Sequence, residues 1–389
     1  MIGKELKVCH ITSMHDWNDD RVFERACKGL ASEGVNVSLI CTYHKKNDLI
    51  EGVHIIGIKE RKGIARRIIS SAKAFIIASR VEADIFHFHD PDLLPWMFIL
   101  KWSGKNVIFD IHENYLVRID KSNMPNFLKR GLKILWRGLE KKFIKISGGG
   151  SVISSSMAEM YEDTSVPLLV TSNIISLNRL KNVKTATEKD AYFSVYISGI
   201  NSDARNCRQA IIAFEDVVKQ YPQAKLKFFG RYYPEGYKQT LSDLSKSLHI
   251  ENNVELQGMV NWEENFARLS KAHIGCVFYE DNMNNRVAIP NRLFEYMFSE
   301  LAVLGEYFPE IKNIIDDTDC GVVVNSSNPN EISKAIIDLF SHPEILKQKA
   351  LNGKHAVETK YNFEIAVKEM IAYYYKIIEK NNAPITKYL

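Results

Sequence analysis

Short apolar runs alternate with longer segments of helical period along this chain, in two successive series. A parallel sheet buried on both faces needs this pattern, because each strand must be apolar throughout and each crossover must cover a face. In the first series, strands are expected near 6–12, 35–42, 53–58, 84–89, 106–111 and 149–154, with helices near 20–33, 64–82, 92–103, 124–147 and 155–163. In the second, strands are expected near 192–198, 224–230, 253–257, 273–279, 301–304 and 321–324. At 389 residues the chain exceeds what one core usually serves. The expected fold is α/β, with doubly wound domains at 1–177 and 191–362. A polar, lysine-bearing linker at 178–190 joins them, and a final helical segment, 363–389, lies back on the first domain. Open parallel sheets bind ligands at the carboxyl ends of their strands, so two such domains facing each other would enclose a cleft.

Composition narrows the function classes. Hydrophobic residues make up 46% and charged residues 25%, as in ordinary globular proteins. The net charge of +4, from 51 basic and 47 acidic residues, is too mild for nucleic-acid binding, and aromatic-basic patches are lacking. Six cysteines occur without any C-x-x-C pair, and Cys9, Cys41 and Cys276 sit inside apolar runs, which points to buried thiols in a reducing compartment. No apolar signal region precedes the first strand, and no apolar stretch reaches the roughly 18 residues that span a bilayer. A cytoplasmic location is expected.

Polar residues gather at the expected strand ends. Asp84-Ile85-Phe86-His87-Phe88-His89-Asp90-Pro91-Asp92 places His87 and His89 on one face of a strand, with His89 and Asp90 where it gives way to a helix. Histidines and carboxylates there could hold a metal, and Asp90-Pro91-Asp92 fits a short D-x-D pattern. The non-metal reading has His89 meeting an acceptor phosphate or hydroxyl and Asp92 capping the next helix. The following strand runs into His112, and the first runs into His15, with Asp19 or Asp20 as a helix cap before Arg21. Together His15, His89 and His112 suggest a polar floor.

The second series carries basic residues instead. Ser198-Gly199-Ile200-Asn201-Ser202-Asp203-Ala204-Arg205 is a Gly-containing loop followed by a cation at a helix start, an arrangement suited to a diphosphate. It is neither a Walker loop nor a G-x-G-x-x-G fingerprint. Phe228-Phe229-Gly230-Arg231 ends another strand. In Pro290-Asn291-Arg292-Leu293-Phe294-Glu295-Tyr296-Met297, a helix starting at Asn291 puts Arg292 and Glu295 on one face, a cation for phosphate beside a carboxylate for ribose hydroxyls. No hydrolase triad signature is present.

Between Asn126 and Ser147, Lys129, Lys133, Arg137, Lys141 and Lys145 recur every four residues beside an apolar stripe of Leu128, Leu132, Leu135, Leu139, Phe143 and Ile146. A basic amphipathic helix can rest on an anionic membrane surface or cover a sheet. In the mixed case the stripe covers the sheet and the lysines alone touch lipid headgroups.

Both halves resemble the family 4 retaining glycosyltransferases of GT-B fold, in particular members from bacterial surface-polysaccharide (O-antigen, lipopolysaccharide or capsule) clusters. The resemblance lies in Asp19-Asp20-Arg21-Val22-Phe23-Glu24-Arg25, His87 to Pro95, Asp110-Ile111-His112-Glu113, the Pro290–Met297 run and Phe308-Pro309-Glu310-Ile311. It implies two Rossmann-like domains. It implies a metal-independent transfer, with retention, from a nucleoside diphosphate sugar, expected to be UDP-linked, to a lipid-linked oligosaccharide at the inner face of the cytoplasmic membrane. His112, Arg205 and Glu295 take the catalytic roles. Gly199, Arg205, Arg231, Asn291, Arg292, Leu293 and Glu295 hold the donor, and His15, Arg21, His89 and Asp90 lie on the acceptor side. The chain departs from the family at Val287, where the first glutamate of the E-x7-E motif would fall, at Glu300 in place of a glycine, and at Met14-His15-Asp16-Trp17 in place of a Gly-rich loop. Sugar-nucleotide epimerisation, phosphorolysis and a degenerate scaffold stay open as alternatives.

Overall fold

The computed structural model of the chain describes residues 5–59, 64–112, 115–120, 122–186 and 188–382. The chain divides into two compact units, Met1–Ser172 with Phe363–Leu389, and Asn173–Asn362.

The first unit is built on an eight-stranded sheet: β1 (Lys7–Asp16), β2 (Asn36–Thr42), β3 (Asn47–Ile50), β4 (Val53–Ile58), β5 (Ile85–Phe88), β6 (Val107–Ile111), β7 (Ser151–Val152) and β8 (Leu169–Val170). Its spatial order is β3-β4-β2-β1-β5-β6-β7-β8, parallel except for the β3–β4 hairpin at the edge. The hairpin was not expected, since Asn47–Ile50 is only four residues long, half of them polar, alternates between exposed and half-buried and carries no long apolar run. The chain steps outward from β1 to β2 and β4 and then returns to β5 on the other side. The switch point therefore lies between β1 and β5, whose carboxyl ends carry His15 and His89.

The helix after β1 begins as a π-helix, Asp20–Cys27, and continues as an α-helix to Ser32. Asp19 caps it by accepting from the backbone N–H groups of Arg21 and Val22. Wide π-turns are uncommon and concentrate at functional sites, and here the widened turn carries Arg21.

The basic helix spans Asn126–Ser147, but its apolar stripe covers the sheet only at the C-terminal end, where Phe143 and Ile144 are fully buried. Leu128, Leu132 and Leu135 are exposed, together with Phe127 and Ile134. The mixed expectation is thus corrected: three turns of this helix present apolar and basic side chains alike to solvent.

The last helix, Phe363–Asn382, belongs to the first unit. Tyr373 accepts from the backbone N–H of Gly150 at 2.9 Å and donates to the carbonyl of Pro167, while Ile377 fills the space a side chain at Gly149 would need. Close packing thus explains Gly149 and Gly150, while Gly148 ends the helix Asn126–Ser147 with a left-handed backbone (φ 76°).

The second unit carries β9 (Ser194–Asn201), β10 (Lys225–Tyr232), β11 (Val254–Leu256), β12 (Ile274–Val277), β13 (Ala302–Glu306) and β14 (Gly321–Val324), all parallel in the order β11-β10-β9-β12-β13-β14. Its switch point lies between β9 and β12. The stretch expected to be a linker packs on this unit. Leu177–Leu180 is helical, and Lys189 donates to the carbonyls of Ala272 and Glu300 at 2.8 and 2.6 Å. Polar composition marked those residues as a linker because their partners are backbone carbonyls, which leave no apolar signature. All six cysteines are free and buried.

Candidate active site

In the second unit, the strand ends around the switch point line a cavity of about 640 Å³. Gly199, Arg205, Arg231, Asn291, Arg292 and Glu295 face it, with Tyr279, Trp262 and Asn265. Gly199 and Gly230 sit side by side in β9 and β10, both with left-handed backbones (φ 103° and 124°). A side chain at Gly230 would strike the carbonyl of Gly199, whereas one at Gly199 would meet only open space beside the cavity. Backbone can therefore approach a ligand closely there. Sequence reading found Gly199 and not Gly230, whose role depends on cross-strand register.

Arg292 is buried, donating to the carbonyls of Ser198 (2.9 Å) and Phe278 (3.1 Å). Its helix, Asn291–Phe298, puts Glu295 on the same face, as the i, i+3 spacing requires. Arg205 ends the single turn Asp203–Arg205, and the helix expected to open at about Arg205 begins two residues later, at Cys207. Burial, then the nearby Arg292 charge, lower its affinity for a proton. Among the described residues neither guanidinium has a carboxylate within ion-pair distance. Leu293 is a correction: its side chain is fully buried in the core and its N–H bonds the carbonyl of Pro290.

Glu300 adopts φ 57°, where glycine is unstrained, and this accounts for the glycine expected there. The helix ends with Glu300 N–H on the carbonyl of Met297 and Leu301 N–H on that of Tyr296, and the Glu300 carboxylate pairs with Lys354 at 2.6 Å.

In the first unit the polar strand ends form one network around Asp110. Arg21 grips its carboxylate with Nε at 2.9 Å and Nη2 at 2.8 Å, and reaches Thr171 as well. His89 Nδ1 lies 3.1 Å from Asp110 Oδ2, and Ser151 donates to Oδ1 at 2.9 Å. Burial alone would push the Asp110 carboxyl up, but Arg21 foremost, then His112 and His89, hold it well below the usual range. An ionised Asp110 sets every proton behind it. His89 must donate through Nδ1, so its Nε2 accepts from His10 Nδ1 (2.8 Å). Ser151, donating to Asp110, accepts from His87 Nε2 (3.1 Å), so His87 Nδ1 accepts from Tyr374 (2.7 Å). Burial foremost lowers the pKa of all three histidines, with His87 down to about 3; at His89 the hydrogen bond and charge of Asp110 pull the other way without overcoming it.

His10, His87 and His89 are close enough to be considered as metal ligands. Five of their six ring nitrogens are committed to the bonds just described; His10 Nε2 is the exception. The rings also stack, with interplanar angles of 15° to 32°, so their in-plane lone pairs do not converge.

His89 and Asp90 are therefore corrected from contact residues to buried supports. Asp90 accepts from Thr12 and from the backbone N–H of Ser13, both at 2.6 Å, and so holds the irregular carboxyl-terminal part of β1. Asp92 does not cap the next helix; it accepts from the Ser13 hydroxyl at 2.8 Å. His15 stands between Asp19 (3.1 Å) and Asp90 (3.4 Å), and the hydrogen bond to Asp19, then that to Asp90, raise its pKa to about 10. It meets His112 edge to face at 5.9 Å, and His112 Nδ1 lies 3.5 Å from Asp110. His15 and His112 are the more open members of this group, and Glu113 lies outside the described residues.

Two family models match the chain: "Glycosyl transferases group 1" over residues 179–356 and "Glycosyltransferase Family 4" over residues 20–179. A comparison with curated protein sequences found no match. Among solved structures, a glycosyltransferase from Rickettsia africae ESF-5 superposes with TM-score 0.74 at 12% identity, covering 97% of this chain and 100% of that one. Sucrose-phosphate synthase from Thermosynechococcus elongatus gives 0.68 at 13%, with 97% and 100% covered. Anabaena Alr3699/HepE, solved with UDP and glucose, gives 0.68 at 10%, with 96% and 100% covered. At these identities the structures speak for the fold, and the family models speak for descent. With the two matches meeting at residue 179 and each falling on its own sheet domain, the chain belongs to the family 4 glycosyltransferases of GT-B type.

Proposed function

We propose that this enzyme transfers a sugar from a nucleoside diphosphate sugar, UDP-linked, to a lipid-linked saccharide in cell-surface polysaccharide synthesis. One observation carries the donor half: Arg205 and Arg292 converge on a 640 Å³ cavity without a carboxylate to neutralise them among the described residues. Two such charges beside glycine backbone suit a diphosphate, and Glu295 on the same wall suits ribose hydroxyls. HepE, solved with UDP and glucose, has the same fold. As the sugar–phosphate bond breaks, charge grows on the departing diphosphate, and fixed cations stabilise that change most. Arg205→Ala and Glu295→Ala should each lower turnover by roughly 100-fold with the donor found in a nucleotide-sugar panel. Near-normal turnover in both would remove these residues from their roles.

On the acceptor side, His112 Nδ1 faces the Asp110 carboxylate at 3.5 Å without a formed hydrogen bond, and in this reading its Nε2 meets a sugar hydroxyl. Retention and the lack of a metal requirement follow the family resemblance. A reaction needing an acceptor also separates transfer from epimerisation, which would proceed on donor alone.

The membrane half rests on the helix Asn126–Ser147. Phe127 and Ile134 are 74% and 69% exposed, beside Lys129, Arg130, Lys133 and Arg137. Apolar groups flanked by cations suit the headgroup boundary of an anionic bilayer. No helix among the described residues is long and apolar enough to cross a membrane. The protein should sediment with phosphatidylglycerol-containing liposomes, and Phe127→Ser with Ile134→Ser should release it. Equal sedimentation of both forms would discard this surface.

A further inference from the structure

Tyr279 follows β12 and faces the donor cavity, and both arginines lie over its ring. The guanidinium carbon of Arg205 is 3.8 Å from the ring centroid and that of Arg292 is 4.7 Å. Two like charges held this near each other repel, and no carboxylate among the described residues offsets them. An aromatic face is the neutral group that attracts a cation without quenching it.

The residue is also rigidly mounted. Asn206 Nδ2 donates to the Tyr279 carbonyl at 3.2 Å and to Ser326 Oγ at 2.7 Å. Ser326 donates to the Glu306 carboxylate through its hydroxyl and its backbone N–H. These four residues, drawn from beyond the ends of β9, β12 and β14 and from the end of β13, are linked in one chain of hydrogen bonds. Asn206, Glu306 and Ser326 are buried, and Asn206 is the neighbour of Arg205 in sequence. These hydrogen bonds therefore fix the platform and the segment that carries one of its cations.

We infer that Tyr279 is a positioning residue for the diphosphate: its π-face holds Arg205 and Arg292 as an unneutralised pair, poised for two adjacent phosphates. This rests on the donor reading above. A carboxylate in its place would hold the arginines equally well but cancel the charge the ligand needs. An aliphatic residue would let them part.

The test is calorimetric binding of UDP, ADP, GDP and CDP to the full chain, with the tightest nucleotide compared against its own monophosphate. Tyr279→Leu should weaken diphosphate binding about ten-fold, the scale of one desolvated cation–π contact. It should weaken monophosphate binding far less, and Tyr279→Phe should bind like the wild type. Loss of the diphosphate-over-monophosphate preference is a readout that general loosening of the site would not produce. If Tyr279→Leu does not fold, Tyr279→Trp replaces it: a wider π-face should keep the preference, and its loss there would count against the proposal. Equal binding by Tyr279→Leu and wild type overturns the role of Tyr279 and leaves the donor reading standing. So does a Tyr279→Phe variant as weak as Tyr279→Leu, because the hydroxyl would then be responsible. Failure of the wild type to bind any diphosphate overturns the donor reading itself.

Discussion

His15 shows how residue identity and charge state combine. Wedged between Asp19 and Asp90, it is raised to about 10 from 6.5, while burial pushes against but does not overcome the hydrogen bonds that keep both carboxyls low. The sign follows from linkage. A histidine raised on folding contributes fully below 6.5 and loses its contribution as pH climbs toward 10. Carboxyls lowered on folding contribute above 3.8 and lose it as pH falls. The trio is thus at full strength between about pH 4 and 6.5. The stability advantage of wild type over His15→Gln, from urea unfolding, should be largest there and shrink steadily toward pH 10. A constant difference would mean that His15 acts by packing alone. In sequence His15 was visible as a polar strand end. Its charge was not, because both partners lie in turns whose geometry only the fold sets.

At the scale of elements, the helix Asn126–Ser147 contains a conflict. Glu140 is buried, and Tyr161 donates to it at 3.1 Å while its other oxygen has no hydrogen-bond partner. Burial, only partly offset by the nearby Trp136 indole N–H and the hydrogen bond from Tyr161, raises its pKa to about 7 from 4.5. A raised acid binds its proton more tightly in the folded state, so folding is penalised as pH rises from 4.5 through 7. Glu140→Gln should unfold like wild type at pH 4.5 and be more stable at pH 8, by roughly 1–3 kcal/mol. An equal midpoint at pH 8 would contradict the burial. The same helix shows the limits of periodicity. Its stripe from Leu128 to Ile146 is continuous in sequence, yet only the last two turns reach the sheet. The spacing defined a face, and the element's length beyond its neighbours decided which part of that face is covered. Strands were more legible, since burial on both sides leaves apolar runs with few alternatives. The β3 edge was not, because an exposed strand needs no such run.

At the scale of the molecule, both ligand-end clusters sit at the switch points of their sheets, and for that reason strand ends alone located most of them. The sequence could not show which residues there are supports. His89 and Asp90 stand at a strand end just as His15 and His112 do, and only burial and their neighbours' hydrogen bonds set them apart. The last helix extends this dependence across the whole chain. Deleting 363–389 would leave His87 Nδ1 buried without Tyr374 and strip the apolar cover from Gly149. The shortened protein should lose the cooperative unfolding of the first unit, seen in a denaturant titration, while the transition of the second unit remains. Retention of both transitions would show the helix to be dispensable.

That helix also inverts the usual order of birth. The second unit is one unbroken stretch and can be complete as soon as residue 362 has cleared the ribosome. The first unit is begun earlier, but its final cover is translated only after the whole second unit. Until residues 363–382 emerge, the nascent amino-terminal half must wait with the face that will meet Tyr373, Tyr374 and Ile377 still open to water. During that interval the growing chain is most exposed to chaperones and to aggregation, and the unit made first is the last to be finished.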